Sequence, residues 1–280
     1  MEKILKSWAV LASHFIGEHF DHCKPYMDVA YDGMHPLTRF VSTQLYISCQ
    51  LSSTSALVLI KEGLEWDAEI INRSIIEGVT KYVYLLTGSA EERLEKTKEY
   101  WELLPDYAAT KRSAKVKRFF EEVSEAKQNL PLNDLLLSDR EIDELRNGTN
   151  KNERSNLEQK WSFSHIINEF SKSDSPGLRA FISLAHGYGM SSHLIHKDGD
   201  GVGMIWERCS RPEERQSAVK LGHCARTVSD VCSFAKLRTI FLLKACNEDP
   251  IPICRSIGEH YSVFFNDLEE AYKSFESVEY

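Results

Sequence analysis

Apolar residues recur along most of this chain at three- and four-residue steps, the spacing of a helix that buries one face. The clearest example is the stretch Trp66–Leu86, where Ile75, Val79 and similar residues follow this spacing. Gly63 and Gly88 flank the stretch and predict where its neighbouring helix and the stretch itself end. No alternating pattern of any length predicts a strand, so the expected fold class is all-α.

The remaining patterns predict a multi-helix bundle of roughly nine helices, folded as a single domain over residues 1–280. Pro105 and Asp106 are expected to separate two of these helices. Residues 147–156 are polar and are predicted to form an exposed loop. Residues 253–280 follow two prolines and are predicted to form a peripheral C-terminal helix.

Composition and charge narrow the possible functions. The net charge of −8 disfavours a protein that binds nucleic acid by coating its phosphates, although a local basic site stays possible. The seven cysteines include no Cys-x-x-Cys pair, and this usage is typical of a reducing cytoplasm. The N-terminus is not expected to be a signal peptide, and residues 41–60 are too polar for a membrane span.

Two groups of residues at helical spacing are the main candidates for chemistry. Arg73 and Glu77 lie four residues apart, so they share one face of a largely apolar helix. Tyr188, Ser192 and His196 recur at four-residue steps just before a glycine-rich segment. Each group alone is also explained by structure, the first as an intrahelical salt bridge and the second as a C-terminal cap.

Together the two groups resemble the signature of a bacterial family of unknown function. That signature is an Arg-Ser-x-x-Glu helix, matched at Arg73 and Glu77, followed by a distant Tyr-x-x-x-Ser-x-x-x-His helix, matched at Tyr188, Ser192 and His196. The family is similar to HEPN-type helical domains, many of which are ribonucleases or toxins in defence against phage. Those enzymes carry their Arg or Asn close to the His on one helix, so in this chain the cation would come from Arg73 on another helix.

The resemblance implies a metal-independent ribonuclease or toxin-like effector in phage defence, with no cofactor. In this scheme Arg73, oriented by Glu77, would hold a phosphate, His196 would move a proton, and Tyr188 and Ser192 would donate hydrogen bonds to developing charge. The alternative is a non-catalytic helical module that binds a partner protein or a small ligand. In that case the same side chains would form a buried polar network.

Three further patterns are candidates for a binding site. His14, Glu18 and His22 share a face and could bind a metal, although a solvated polar face is the expected reading. The segment Asp198–Gly201 does not fit a calcium loop and is predicted to be a turn. A local basic patch could meet RNA or an acidic partner; it comprises Lys111, Arg112, Lys115, Lys117 and Arg118. Separately from this patch, a homodimer or a complex with a partner protein stays an open alternative.

Overall fold

The computed structural model describes residues 1–128 and 130–279. Residue 280, the last residue of the predicted domain and of the predicted C-terminal helix, lies outside the described residues. Within the described part there is no strand, and the predicted all-α class is confirmed. This part contains thirteen α-helices of eight or more residues rather than about nine. They are α1 Glu2–Met27, α2 Pro36–Lys61, α3 Glu65–Leu86, α4 Ala90–Lys98, α5 Leu104–Glu122, α6 Asp139–Arg146, α7 Lys151–Lys160, α8 Phe163–Ser171, α9 Leu184–His196, α10 Gly199–Cys209, α11 Glu213–Ala245, α12 Ile251–His260 and α13 Ser262–Glu279.

The core forms around α11, which packs against α1, α2, α3 and α13. Helices α2 and α3 form a hairpin whose connection includes Gly63 at a φ of +72°, a conformation that glycine adopts without strain. On α3 the predicted apolar face is buried, including Ile75, Val79 and Val83. Cys224 and Cys232 of α11 are also buried, as expected for small apolar residues in a core.

The predicted break at Pro105 is wrong. A π-helical segment over Glu99–Leu103 joins α4 to α5 without a break, and Pro105 lies directly after this segment, in the first turn of α5. Such a π-helical segment widens the helix locally without interrupting it.

The predicted loop over 147–156 is confined to 147–150. Helix α7 begins at Lys151 because Asn150 caps it, accepting hydrogen bonds from the backbone of Asn152 and Glu153. The segment is mostly exposed, as predicted, but its polar residues form the surface of a helix.

The C-terminal segment is two helices rather than one. Helix α12 ends at His260, and Tyr261 separates it from α13 with its hydroxyl donating to Glu18 of α1 at 3.0 Å. Both helices contribute to the core, through Ile257 of α12 and through Phe264 and Leu268 of α13. The predicted peripheral position therefore applies only to their outer faces.

Candidate functional site

Helix α3 carries a row of polar side chains at four-residue steps, formed by Glu69, Arg73 and Glu77. The opposite face of α3 packs into the core, so this row faces α9 and, at Glu69, α11. Glu69 is buried, whereas Arg73 and Glu77 are half-buried. The row thus runs from the interior towards the surface along one helix.

Arg73, Glu77 and Tyr188 form a chain of hydrogen bonds, here called the Arg73 cluster. Arg73 Nη2 donates to the Tyr188 hydroxyl at 3.0 Å, and that hydroxyl donates to Glu77 Oε2 at 3.3 Å. The Arg73 guanidinium lies 4.4 Å from the centroid of the Tyr188 ring, and Phe163 stacks on the same ring at 3.9 Å. Direct contacts therefore join three of the five candidate site residues, and their role in catalysis stays a prediction.

The ionisation of this cluster follows from its contacts. Burial opposes ionisation of Glu77, but the hydrogen bond and the charge of Lys81 outweigh it and hold the pKa of Glu77 below its ordinary value. The Lys81 ammonium lies 2.6 Å from Glu77 Oε1. Burial, followed by the neighbouring Glu77 carboxylate, raises the pKa of the Tyr188 hydroxyl. At neutral pH the cluster holds an anionic Glu77 and a neutral Tyr188.

Ser192 and His196 are not part of this cluster. Within residues 1–128 and 130–279, no hydrogen bond or ion pair joins either side chain to Arg73, Glu77 or Tyr188. His196 is exposed and is the last residue of α9. The face of α9 that packs inwards runs through Ser191 and Leu194, and His196 lies about 140° around the helix from Ser191 at 3.6 residues per turn.

A second set of polar residues joins three helices and was not identified from the sequence. This Glu69 cluster consists of Glu69 and Asn72 of α3, Ser191 of α9, and Arg226 and Asp230 of α11. Ser191 Oγ donates to Glu69 Oε1 at 2.7 Å, and Arg226 Nη2 donates to Glu69 Oε2 at 2.5 Å. Asn72 Nδ2 donates to Asp230 Oδ2 at 3.1 Å. The one sequence signal was a carboxylate at position 69, a full turn before Arg73 on a mostly apolar helix.

Asp230 has the most unusual ionisation in this cluster. Burial raises its pKa to about 6, against the opposing influence of the Arg226 charge and the Asn72 hydrogen bond. The Glu69 carboxylate adds to the rise, because two nearby negative charges repel each other. Asp230 is therefore a half-buried acid that gains a proton at mildly acidic pH.

A pocket of about 290 Å³ opens beside the Glu69 cluster. Glu69 and Arg226 belong to both the cluster and the pocket wall. The rest of the wall includes aliphatic side chains as well as aromatic and basic ones, among them Trp66, Arg208 and His223. The Glu69 cluster therefore forms part of the pocket wall.

Comparison with known proteins places the chain in a family. Residues 39–208 match a family of unknown function, DUF5677. The chain belongs to this family. No curated protein and no solved structure matches the chain. The resemblance to a family of unknown function is confirmed at this level, whereas the motifs and the HEPN relationship stay predictions.

The DUF5677 segment contains only part of the site. Arg73, Glu77 and the whole of α9 lie inside residues 39–208, together with Glu69. Arg226 and Asp230 lie outside it, on α11. In this chain, helix α11 therefore completes the polar contacts of the matched segment from outside its boundary.

The remaining candidates from the sequence are distributed elsewhere. His14 and His22 are exposed on α1, while Glu18 accepts from Tyr261 and lies 3.3 Å from His260. Among the described residues, no group of three or more His, Cys, Asp or Glu side chains is arranged to hold a metal. None of the described helices is long and apolar enough to span a membrane.

The predicted turn after His196 is the start of a helix. Asp198 caps α10, accepting from the Gly201 backbone at 3.0 Å, and its other oxygen lies 2.7 Å from His193 Nδ1. A Cβ on Gly201 would lie 2.3 Å from the His193 carbonyl oxygen, so glycine permits this close approach of α10 to α9.

The basic patch is partly neutralised by neighbouring carboxylates. Lys111 lies 2.5 Å from Glu158, Arg118 lies 2.8 Å from Glu122, and Lys117 lies 3.6 Å from Asp139. Binding of RNA to this patch stays a prediction.

Proposed function

We propose that this chain is a non-catalytic helical binding module, whose pocket beside the Glu69 cluster takes a small ligand. The observation that carries this proposal is the shared position of Glu69 and Arg226, which tie α3 to α11 and also line the pocket. A pocket wall fixed by a buried ion pair and its hydrogen bonds is pre-organised, which lowers the entropy cost of binding.

The hydrogen bonding of the Arg73 cluster also favours a structural role. Tyr188 accepts from Arg73 and donates to Glu77, and Glu77 is held in addition by Lys81. Glu77 therefore has a depressed pKa, the opposite of what a general base working near neutral pH needs. In this reading the cluster fixes how α9 sits on α3, and with it one side of the pocket.

The binding proposal is tested by filling the pocket. Purified protein would be screened against a small-molecule library by ligand-observed NMR, using the wild type and a Met204→Trp variant. Met204 lines the pocket, so the larger ring should abolish binding of true pocket ligands. Val29→Trp is the matched control, because Val29 is 85% exposed and lies between α1 and α2. Ligands that bind both variants equally, or the absence of any ligand, would contradict the proposal.

Ribonuclease activity is the second candidate, and one observation favours it. Within the described part of the chain Arg73 has no carboxylate within 4.0 Å, and its Nε is buried without a hydrogen-bond partner. A cation in this state could hold a phosphate. The test is incubation of total RNA with the wild type, Arg73→Ala and His196→Ala. Cleavage by the wild type that both substitutions abolish would favour the nuclease over the binding module.

A further inference from the structure

Trp66, Arg208 and His223 form a compact group that separates two pockets, here called the Arg208 cluster. One is the pocket of about 290 Å³ beside the Glu69 cluster, and the other has a volume of about 350 Å³. All three residues line both pockets. The Arg208 guanidinium lies 5.1 Å from the centroid of the Trp66 ring, and the Trp66 and His223 rings are 5.8 Å apart. A ligand in either pocket would therefore meet the same cation.

Arg208 has no direct carboxylate partner in the part of the chain that the structure describes, since no carboxylate there lies within 4.0 Å of it. Arg211 and Arg226 nearby are both ion-paired. Burial and the charges of Arg211 and Arg226 lower the pKa of Arg208, and they outweigh the more distant carboxylates of Glu207 and Glu279. A half-buried cation among like charges is costly, and a bound anion would relieve that cost.

His223 orients Arg208 without cancelling its charge. Arg208 Nη1 donates to His223 Nε2 at 2.6 Å, so this ring nitrogen is an acceptor and the imidazole is neutral. Burial and the charges of Arg208 and Arg226 lower the pKa of His223 to about 3, which keeps the ring neutral at physiological pH. The guanidinium is thereby held on the Trp66 face with donors left for a ligand.

The other walls limit the ligand. Met190, Met204 and Tyr272 give the smaller pocket an apolar side suited to a flat ring. Glu69 is paired with Arg226 in this pocket, and Glu65 is paired with Lys220 in the other, so the cation left for an acidic group of a ligand is Arg208. Both volumes lie near the lower end of the ~300–1,000 Å³ range of small-molecule sites, which favours a single ring with one acidic group.

We infer that the Arg208 cluster binds a small aromatic acid, with its carboxylate or phosphate monoester on Arg208 and its ring against the apolar wall. This inference rests on the proposed binding function and names its ligand class. The two acidic groups share one chemistry, a planar or tetrahedral oxyanion that accepts paired hydrogen bonds from a guanidinium.

The test is isothermal titration calorimetry of the full chain with benzoate, phenyl phosphate and the uncharged benzyl alcohol. We expect one or both acids to bind at least about tenfold more tightly than benzyl alcohol, since a charge-assisted hydrogen bond is made only by the acids. The tighter acid identifies the oxyanion. Arg208→Gln should weaken its binding at least about tenfold.

Arg140→Gln is the matched control, because Arg140 is an exposed arginine on α6 paired with Glu144. It should leave the affinity unchanged. Competition by inorganic phosphate on the wild type gives a second measurement that does not depend on the folding of any variant. Equal affinity for benzyl alcohol, equal affinity of Arg208→Gln, or no binding of either acid at millimolar concentration would overturn the inference.

These outcomes separate the two proposals. If the library screen finds uncharged ligands whose binding Met204→Trp abolishes, the binding module stands and only the aromatic-acid inference fails. If Met204→Trp abolishes the binding of no ligand, charged or uncharged, the binding module and the aromatic-acid inference fail together.

Discussion

Helix α11 carries two arginines in polar clusters, one half-buried and one fully buried, and their charges are compensated in different ways. In the Glu69 cluster, Arg226 pairs with the Glu69 carboxylate and borders an open pocket. In the second, here called the His19 cluster, Arg238 is fully buried, donates to Gln50 at 2.9 Å and lies over the Tyr46 ring at 4.8 Å. His19 completes this cluster through a 3.0 Å contact with Thr239.

The two clusters differ in how the charge of the arginine is compensated and in whether a ligand can reach it. The partners of Arg238 are neutral, and its Nε and Nη1 have no hydrogen-bond partner among the described residues. Such a cluster can seal a core but offers nothing to a ligand. The Glu69 cluster pairs its arginine with a carboxylate and stays in contact with a cavity, which is the arrangement expected next to a binding site.

The largest expected effect comes from removing the shared carboxylate. Glu69→Ala removes the only ion-pair partner of Arg226 among the described residues, while Ser191 keeps its bond to the Gly187 carbonyl, and we expect it to lower the free energy of unfolding by about 3 kcal/mol. Urea denaturation measures this loss. Glu144→Ala, which removes an exposed i,i+4 partner of Arg140, should cost less than about 1 kcal/mol. Equal losses would mean that the Glu69 cluster is no more structural than a surface ion pair.

The next largest effect is a loss of stability at acidic pH that arises in the His19 cluster. Burial, together with the charges of Lys236 and Arg238, lowers the pKa of His19 to about 3. Because this pKa lies below the unfolded value of 6.5, the contribution of neutral His19 is complete above that value and is lost as the pH falls towards 3. Between about pH 7 and about pH 5 the wild type should therefore lose about 2 kcal/mol more stability than His19→Gln.

The control for this experiment is His14→Gln, since His14 is exposed on the same helix. It should follow the wild type across the pH range in urea titrations. If the stability of the wild type depends on pH in the same way as that of His19→Gln, protonation of His19 does not destabilise the folded protein, and the prediction is wrong.

Asp230 should respond to acid in the opposite sense. Its pKa is raised to about 6, so its contribution is present at low pH and is lost as the pH rises through about 6. Relative to Asp230→Asn, the wild type should gain about 1.5 kcal/mol on going from about pH 7 to about pH 5. Asp267→Asn, at an exposed position of α13, should show no such difference from the wild type. A constant offset between wild type and Asp230→Asn at both pH values would contradict this account.

These clusters also show where prediction from the sequence stops. The periodic burial of Ile75, Val79 and Val83 was readable because it depends only on neighbours along the helix. The bond from Arg226 to Glu69 joins residues 157 positions apart, so no local pattern contains it. The number of helices was underestimated because short helices capped by residues such as Asn150 have too few apolar positions to show a period.

The structure joins Tyr188 to Arg73 and Glu77 but leaves Ser192 and His196 apart from them for a related reason. Tyr188 starts two rows on α9, one through Ser192 and His196 and the other through Ser191 and Leu194. Both rows fit helical spacing, since 3.6 residues per turn lies between steps of three and four. Packing against α3 selects the second row, where Ser191 bonds to Glu69, and this choice depends on a partner that the α9 sequence does not contain.

The smallest expected effect tests that choice directly. Tyr188→Phe removes the hydroxyl that links Arg73 to Glu77 but keeps the ring that stacks on Phe163, so we expect a loss of about 1 kcal/mol in the free energy of unfolding. Ser192→Ala and His196→Ala should stay within about 0.5 kcal/mol of the wild type, because neither side chain is bonded to the cluster. Chemical denaturation of the three variants side by side measures the contrast. A loss from His196→Ala as large as that from Tyr188→Phe would return His196 to the Arg73 cluster and, with it, strengthen the case for a catalytic site over a binding one.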